Sequence, residues 1–499
     1  MEAGRHEGRN VPADGHLDVP LFHEATQPEA PVGKRPIAVI GAGFSGTIAA
    51  LHLLRRVQAD QPVLLCERAS DFARGVAYAT GDHTNLLNVR AANMSALNDE
   101  RGHFEAWLQA RAAAGPVPEG LHDTPAGLFA SRGLYGQYLR SILDHAMRQA
   151  AGHAQLRLLP DDVLDVTALD GGGYELTCAS GQRLAVAGVV LAVGNLPPEE
   201  SGDPRICRNP WSEKAWAGLE PDRPVMIVGT GLTMVDIAVG LRRRGFEGGI
   251  TALSRGGLLP AGHAATPEAW PTPVLTAAEE GSLRLLTARL RREVALAAAQ
   301  GVNWRAVIDS MRPITAGVWR GLPQAERNRF LRHVRRQWDI HRHRMAPPHA
   351  RLIAGMVADG TLRVVAGRIV AVESGDRAIR VRYTQRGSGT ETSLDVQRVI
   401  FAAGVDPIAR TRDRLMQRLL DGGLIRVDRQ GLGLEVTDDL RVVCRDGGAA
   451  DRVWALGPIV RGVFWECVAV PDIRVQAAHV ADSVVARLRE DAPRWSFAI

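Results

Sequence analysis

A glycine turn set between a strand and a helix constrains this chain more than any other feature. The run Pro36-Ile37-Ala38-Val39-Ile40 is short and apolar, the pattern of a strand buried on both faces of a parallel sheet. Gly41-Ala42-Gly43-Phe44-Ser45-Gly46 follows, and then Thr47 to Arg56, where Ile48, Leu51 and Leu54 recur at helical spacing. A second apolar strand, Val63 to Cys66, ends at Glu67 and Arg68. These pieces make one βαβ unit. In such a unit Gly41 permits the tight turn, Gly43 lets the backbone approach a pyrophosphate, and Gly46 lets helix and strand pack closely. The helix N-terminus presents free N–H groups and about half a positive charge to the phosphates. Glu67, 21 residues beyond Gly46, stands where an acid accepts hydrogen bonds from a ribose. The expected dinucleotide site is therefore Gly41, Gly43, Phe44, Ser45, Gly46, Glu67 and Arg68.

A second, weaker signal begins at Val225-Met226-Ile227-Val228 and continues as Gly229-Thr230-Gly231, with Met234 where a third glycine is common. Its next strand, Ile250 to Leu253, leads to Ser254 and Arg255. An acid there would mark NADH, whereas a hydroxyl and a cation suit the 2′-phosphate of NADPH. Three further apolar runs end in Gly194, Gly404 and Gly457, glycines expected beside a cofactor. The pattern predicts an α/β fold with two dinucleotide-binding, Rossmann-like domains, the second inserted in the first, and a helical Arg-rich insertion over residues 276–345. The expected boundaries are 34–222 and 398–499 for the first domain and 223–397 for the second. Helices are predicted over 104–114, 135–151 and 473–489. Hairpin strands are predicted over 156–159, 163–169, 174–179 and 183–186.

Composition excludes several classes. The net charge of +5 over 499 residues is small, which argues against nucleic acid and suits an anionic ligand. Five cysteines without a CxxC pair argue against a disulfide framework and for a reducing, cytoplasmic compartment. Residues 1–33 are polar and lack an apolar run, so they read as a flexible tail rather than a signal peptide. The apolar stretch 37–54 reads as a buried strand and helix, not a membrane span. The run Arg332 to Arg344 reads as a helix with a solvated, salt-bridged face, and no metal-ligand cluster is visible.

Two irregular blocks are expected near the reacting groups. The block from Gly75 to Ser95 is long for a structural connection, and its Asn88 and Arg90 are candidate cofactor contacts. Near the end of the chain, Arg461 and Arg474 could hold an anionic substrate and Trp465 could stack on a planar one. These three are the expected catalytic-site residues.

The ordered blocks GAGFSG, GVAYATGDHTNLLNVRAANMSALND, HFEAWL, VVLAVGN, VGTGLTMVD, SRGGLLP, HRHRMAP and WALGPIVRGVFWECVAVPDIRVQA resemble a family of FAD/NAD(P)-binding monooxygenases, over residues 36 to 490. That family includes the FAD-dependent urate hydroxylase and the L-aspartate N-monooxygenase. The resemblance implies that the first dinucleotide is FAD and that NADH or NADPH reduces it. O2 is then captured and one oxygen passes to the substrate. It favours urate hydroxylation to 5-hydroxyisourate in purine catabolism, with N-hydroxylation of L-aspartate or a related amine as the alternative. A non-catalytic flavin-binding or electron-transfer protein is the third reading. Partners beyond a small anionic or planar substrate and O2 are not expected, and the oligomeric state is left open.

Overall fold

A computed structural model describes residues 34–149, 155–266, 268–404 and 407–490. The predicted tail 1–33 and the end of the helix predicted to reach Ala151 lie outside these residues. Two sheets organise the rest. The first has six strands, in the order Arg441–Val443, Ala449–Ala455, Gly188–Leu191, Ile37–Ile40, Val63–Cys66 and Leu156–Leu159. All pair in parallel except the outermost pair, Arg441–Val443 with Ala449–Ala455. Ile37–Ile40 is buried at every position, as its unbroken apolar run requires with neighbours on both sides. The helix Phe44–Leu54 and the C-terminal helix Val470–Glu490 pack on this sheet within one continuous core.

The second sheet has seven strands, in the order Ile206–Cys207, Arg398–Phe401, Val225–Val228, Ile250–Ser254, Leu362–Ser374, Ile379–Gln385 and Glu391–Val396. The first five are parallel and the last two antiparallel. Two expected boundaries shift accordingly. Arg398–Phe401, placed by sequence with the last segment, pairs with Val225–Val228, and Ile206–Cys207, placed with the first, pairs with Val399 and Ile400. An apolar run announces a buried strand but not which sheet takes it. For the same reason Leu156–Leu159 is not a hairpin strand. It pairs in parallel with Val63–Cys66, and only Val163–Ala168, Tyr174–Cys178 and Arg183–Val186 form the antiparallel ribbon.

The helical insertion lies between Ile250–Ser254 and Leu362–Ser374 of the second sheet. Its helices start where side chains replace missing backbone acceptors. Thr276 and Glu279 form a reciprocal capping box, and Asn303 accepts the Arg305 N–H. Leu283, Trp319 and Phe330 of the insertion pack with Trp465, so the insertion leans on the last segment of the first domain. A buried ion pair also joins the domains: Arg132 Nη2 lies 3.1 Å from Asp236 Oδ2. His349, 4.0 Å from the same carboxylate, meets the Thr84 carbonyl at 2.9 Å. Among the described residues no helix is long and apolar enough to cross a membrane.

His52 shows how the core couples to pH. It is buried in the helix Phe44–Leu54, and Nδ1 accepts from Arg56 Nη1 at 3.0 Å. Burial first, then the Arg56 charge, pushes its pKa down to about 4. The folded value lies below the ordinary His value near 6.5, so the unfolded chain takes up the proton first as pH falls. This contribution to stability is complete above about pH 6.5 and is lost progressively toward pH 4. Urea unfolding at pH 7 and pH 5 should therefore show a stability difference about 2 kcal/mol smaller in His52→Gln than in the parent; an equal difference would contradict the assignment.

Candidate functional site

The first glycine turn is fixed by backbone approaches that exclude a side chain. Gly41 sits at φ +98°, and a Cβ there would lie 2.6 Å from the Ala192 carbonyl oxygen. A Cβ on Gly46 would lie 1.8 Å from the Gly41 oxygen. Gly43 is different. Its φ of −71° is open to any residue, and the nearest atom to an added Cβ is Gly75 Cα at 3.7 Å. No protein atom requires a glycine at 43, so the space above it is a cradle that a side chain would fill and a ligand can use. The turn is held from below by Glu67, whose Oε2 accepts the Ala42 N–H at 2.8 Å. Its other oxygen makes only a 3.4 Å contact with the Ala69 N–H. Arg68 is engaged by Asp413 at 2.8 Å and Asp162 at 3.6 Å. Phe44 and Ser45 are both buried in the first turn of the helix.

The second turn repeats this geometry. The N–H of Gly41 bonds to Cys66 O at 2.9 Å, and that of Gly229 to Leu253 O at 2.8 Å. A Cβ on Gly229 (φ +120°) would lie 2.4 Å from Ala402 O, while one on Gly231 meets nothing within 4 Å. The weaker sequence signal thus folds to the same cradle, with buried Met234 in the third-glycine position. Ser254 ends the next strand, and its Oγ is 2.9 Å from Thr230 Oγ1 of the turn and accepts the Gly257 N–H at 3.0 Å. Arg255 is exposed at the same strand end. Gly194 lies two residues beyond Ala192 on the first turn. Gly404 lies two residues beyond Ala402, so it belongs to the second turn and not to the first domain, where the sequence boundary put it.

The C-terminal block returns to the first turn. Gly457, at φ +80°, comes so near the first helix that a Cβ would lie 2.5 Å from Ser45 Oγ. Beyond it, Trp465 corrects an expectation. It is 3% exposed, with Trp319 and Phe330 rings at 5.0 Å and the guanidiniums of Arg461 and Arg335 over its ring at 4.6 and 5.6 Å. Protein surrounds the indole, so it is a core residue and not a stacking platform. Arg461 lies over that ring with its Nε buried and without a hydrogen-bond partner, and burial lowers its pKa. Arg474 is buried and donates through Nη1 to the Ser95 carbonyl at 2.9 Å, tying the last helix to the 91–98 loop.

Asn88 and Arg90 reach the second domain. The Asn88 carbonyl lies 3.0 Å from His263 Nε2, and Arg90 Nη2 donates to Ala264 O at 3.1 Å and Thr266 Oγ1 at 2.8 Å. The basic run 332–344 is also not wholly a solvated face. Its helix ends at Arg342, and the end of the run turns inward. Arg342 is buried 3.2 Å from Glu466, which also accepts Trp338 Nε1 at 2.9 Å. Burial raises the Glu466 pKa, but Arg342 and His343 outweigh it and hold the carboxyl below its usual range. Arg344 is buried against Asp309. Sequence reading missed His263 and Arg344. A weak signal for Arg344 was present: Pro347 keeps Ala346 out of the helical region and opens the next helix, so the basic run must leave its own helix before that point. His263 had no such signal.

The turn geometry separates two substitutions. Gly43→Val should purify folded but colourless, because its side chain meets only the space reserved for a dinucleotide. Gly46→Ala should cost at least about 3 kcal/mol in the ligand-free protein, because its Cβ meets backbone. Flavin colour and urea unfolding check both, and a yellow Gly43→Val protein would contradict the cradle.

Comparison with known proteins places this geometry. Residues 38–196 match the family model described as FAD-NAD(P)-binding. No curated protein matches the chain. The L-lysine 6-monooxygenase of Pseudomonas syringae superposes with a TM-score of 0.61 at 16% identity, over 91% of this chain and all of that one. The Kutzneria sp. 744 ornithine N-hydroxylase, with reduced FAD, NADP+ and L-ornithine, gives 0.60 at 14% identity over 91% and 100%. The FAD-bound cadaverine monooxygenase of desferrioxamine biosynthesis from Erwinia amylovora gives 0.59 at 13% identity over 91% and 95%. At these identities the likeness is one of fold, and the chain shares the two-dinucleotide fold of flavin-dependent NAD(P)H monooxygenases.

Proposed function

We propose that this protein is an FAD-dependent monooxygenase that uses NADPH and O2 to hydroxylate the nitrogen of a small amine. The observation that carries the reading is the pair of matched cradles, over Gly43 and Gly231, on a fold shared with ornithine, lysine and cadaverine hydroxylases. The residues fit the cofactor. The amides of the 41–46 turn and the N-terminus of helix Phe44–Leu54 would hold the pyrophosphate, and Glu67 Oε1 is the oxygen left for the adenosine ribose. Gly194, beside the first turn, and Gly457, against Ser45, let backbone line the same groove. When bound, the flavin supplies hydride acceptance and oxygen activation. The protein's own part is to hold two dinucleotides in one register and to keep water from the reacting groups.

Ser254 and Arg255 support NADPH over NADH. The Ser254 hydroxyl is fixed by the turn, and Arg255 has no hydrogen bond or ion pair to another described residue, so it is available for a 2′-phosphate. The urate reading loses its stacking partner with Trp465 buried, and the structural neighbours act on amines. The amine alternative therefore becomes the main reading.

Two measurements test this. Purified yellow protein should consume NADPH faster with an amine from a panel of amino acids and diamines, and yield a product one oxygen heavier at nitrogen. Urate-stimulated NADPH oxidation with loss of urate absorbance would replace the reading, and a yellow protein inert to every substrate would make it a carrier. Arg255→Ala should raise the NADPH KM about tenfold or more, the scale of one lost charged contact near 1.4 kcal/mol. It should leave the NADH KM within about twofold, and equal effects on both would remove Arg255 from the phosphate site.

A further inference from the structure

The helix Arg335–Arg342 of the insertion touches both domains. One face meets the end of the first domain. Arg335 lies over the Trp465 ring at 5.6 Å, Trp338 Nε1 donates to Glu466 Oε1 at 2.9 Å, and Arg342 is 3.2 Å from Glu466. These residues are spaced three and four apart, so they share that face. Arg336 and Ile340, four apart, lie on another. The Ile340 carbonyl accepts the Ala261 N–H at 2.9 Å, which ties this second face to the loop that follows Ile250–Ser254. Arg336 reaches the start of the same loop. A Cβ on Gly256 would lie 3.1 Å from Arg336 Nη1, so the missing side chain lets the guanidinium lie against the backbone there.

That place suits an anion. In a dinucleotide unit the ribose 2′ position lies by the end of the second strand, where an acid holds a hydroxyl and an Arg accommodates a phosphate. Here that strand ends at Ser254. The Gly257 N–H bonds back to Ser254 Oγ at 3.0 Å and curls 254–257 into one turn, which keeps Gly256 close to that hydroxyl. Arg255 from the turn itself and Arg336 from the insertion therefore flank one place. Both are exposed, and among the described residues neither has a hydrogen bond or an ion pair. Two unpaired guanidiniums at one turn fit a phosphate, which Arg binds through paired N–H groups.

We propose that the helical insertion is part of the nucleotide site: Arg336 holds the 2′-phosphate of NADPH jointly with Arg255, and sets nucleotide specificity from outside the second sheet. The inference rests on the NADPH reading above, not on the identity of the substrate. The same helix carries Arg335, Trp338 and Arg342 against Trp465 and Glu466, so a phosphate on Arg336 also braces the insertion between the two domains. NADH, without that phosphate, leaves the brace unmade.

Calorimetric titration of the yellow holoprotein with 2′,5′-ADP and with ADP tests the site without turnover. The parent should bind 2′,5′-ADP at least about tenfold more tightly than ADP. Arg336→Ala should weaken 2′,5′-ADP about tenfold, the scale of one charged contact, and leave ADP within about twofold. Gly256→Ala keeps every charge and displaces only the end of a flexible side chain; it should weaken 2′,5′-ADP about threefold or more and spare ADP. Arg291→Ala removes another exposed guanidinium of the insertion that has no partner among the described residues, and should change neither affinity. Hydrogen exchange over residues 335–342 should slow with 2′,5′-ADP and not with ADP. A folded Arg336→Ala protein with unchanged 2′,5′-ADP affinity, or with both nucleotides weakened alike, would overturn the inference. If Arg255→Ala removes the preference while Arg336→Ala does not, the NADPH reading stands and the insertion drops out of the site. If Arg336→Ala removes it while Arg255→Ala does not, the insertion stands and Arg255 drops out. A parent that binds the two nucleotides equally sinks the NADPH reading and this inference with it.

Discussion

The approach of one backbone to another at the first turn governs what the rest of the chain can do. Gly46 lies so close to the Gly41 carbonyl, and Gly41 so close to that of Ala192, that neither position admits a Cβ. This packing seats the helix Phe44–Leu54 directly on the sheet and aims its N-terminus over the strand ends. The free amides there are what the proposed function uses to hold a pyrophosphate. At Gly43, by contrast, a Cβ would meet nothing nearer than Gly75 Cα at 3.7 Å. The second domain reaches the same arrangement with Gly229, Ala402 and Gly231. The same backbone solution thus occurs twice in one chain, once in each sheet.

Charge organises that boundary. Arg132 and Asp236 pair across it in a buried setting, where losing either partner would strand a charge. Arg90, also from the first domain, crosses it to grip the loop 261–266. Burial holds the Asp236 carboxyl above its usual range, with Arg132 and His349 only partly offsetting it. The same crossing thus positions the domains and concentrates cationic donors between them.

Much of the fold was legible because its signals are local. The apolar run 37–40, the glycine spacing and the helical period of Ile48, Leu51 and Leu54 each act within a few residues. Strand partnership is not local, so Leu156–Leu159 and Arg398–Phe401 were found as strands and assigned to the wrong neighbours. The two glycine turns were legible for the same reason. The surroundings of Trp465 and Arg344 were not. Trp465 has the composition of a stacking residue, and only packing against Trp319, more than a hundred residues earlier, shows that it is filled in. Arg344 looked like one more charge in a basic run until the helix ended at Arg342 and turned it inward.

The proposed function requires that an oxygen atom from O2 reach the amine nitrogen. A single-turnover reaction of NADPH-reduced protein with isotopically labelled O2 in ordinary water, with the product read by mass spectrometry, tests this directly. One labelled oxygen per molecule, bonded to nitrogen, is the expected result. Unlabelled oxygen in the product, or all reducing equivalents released as hydrogen peroxide with every tested amine unchanged, would contradict it.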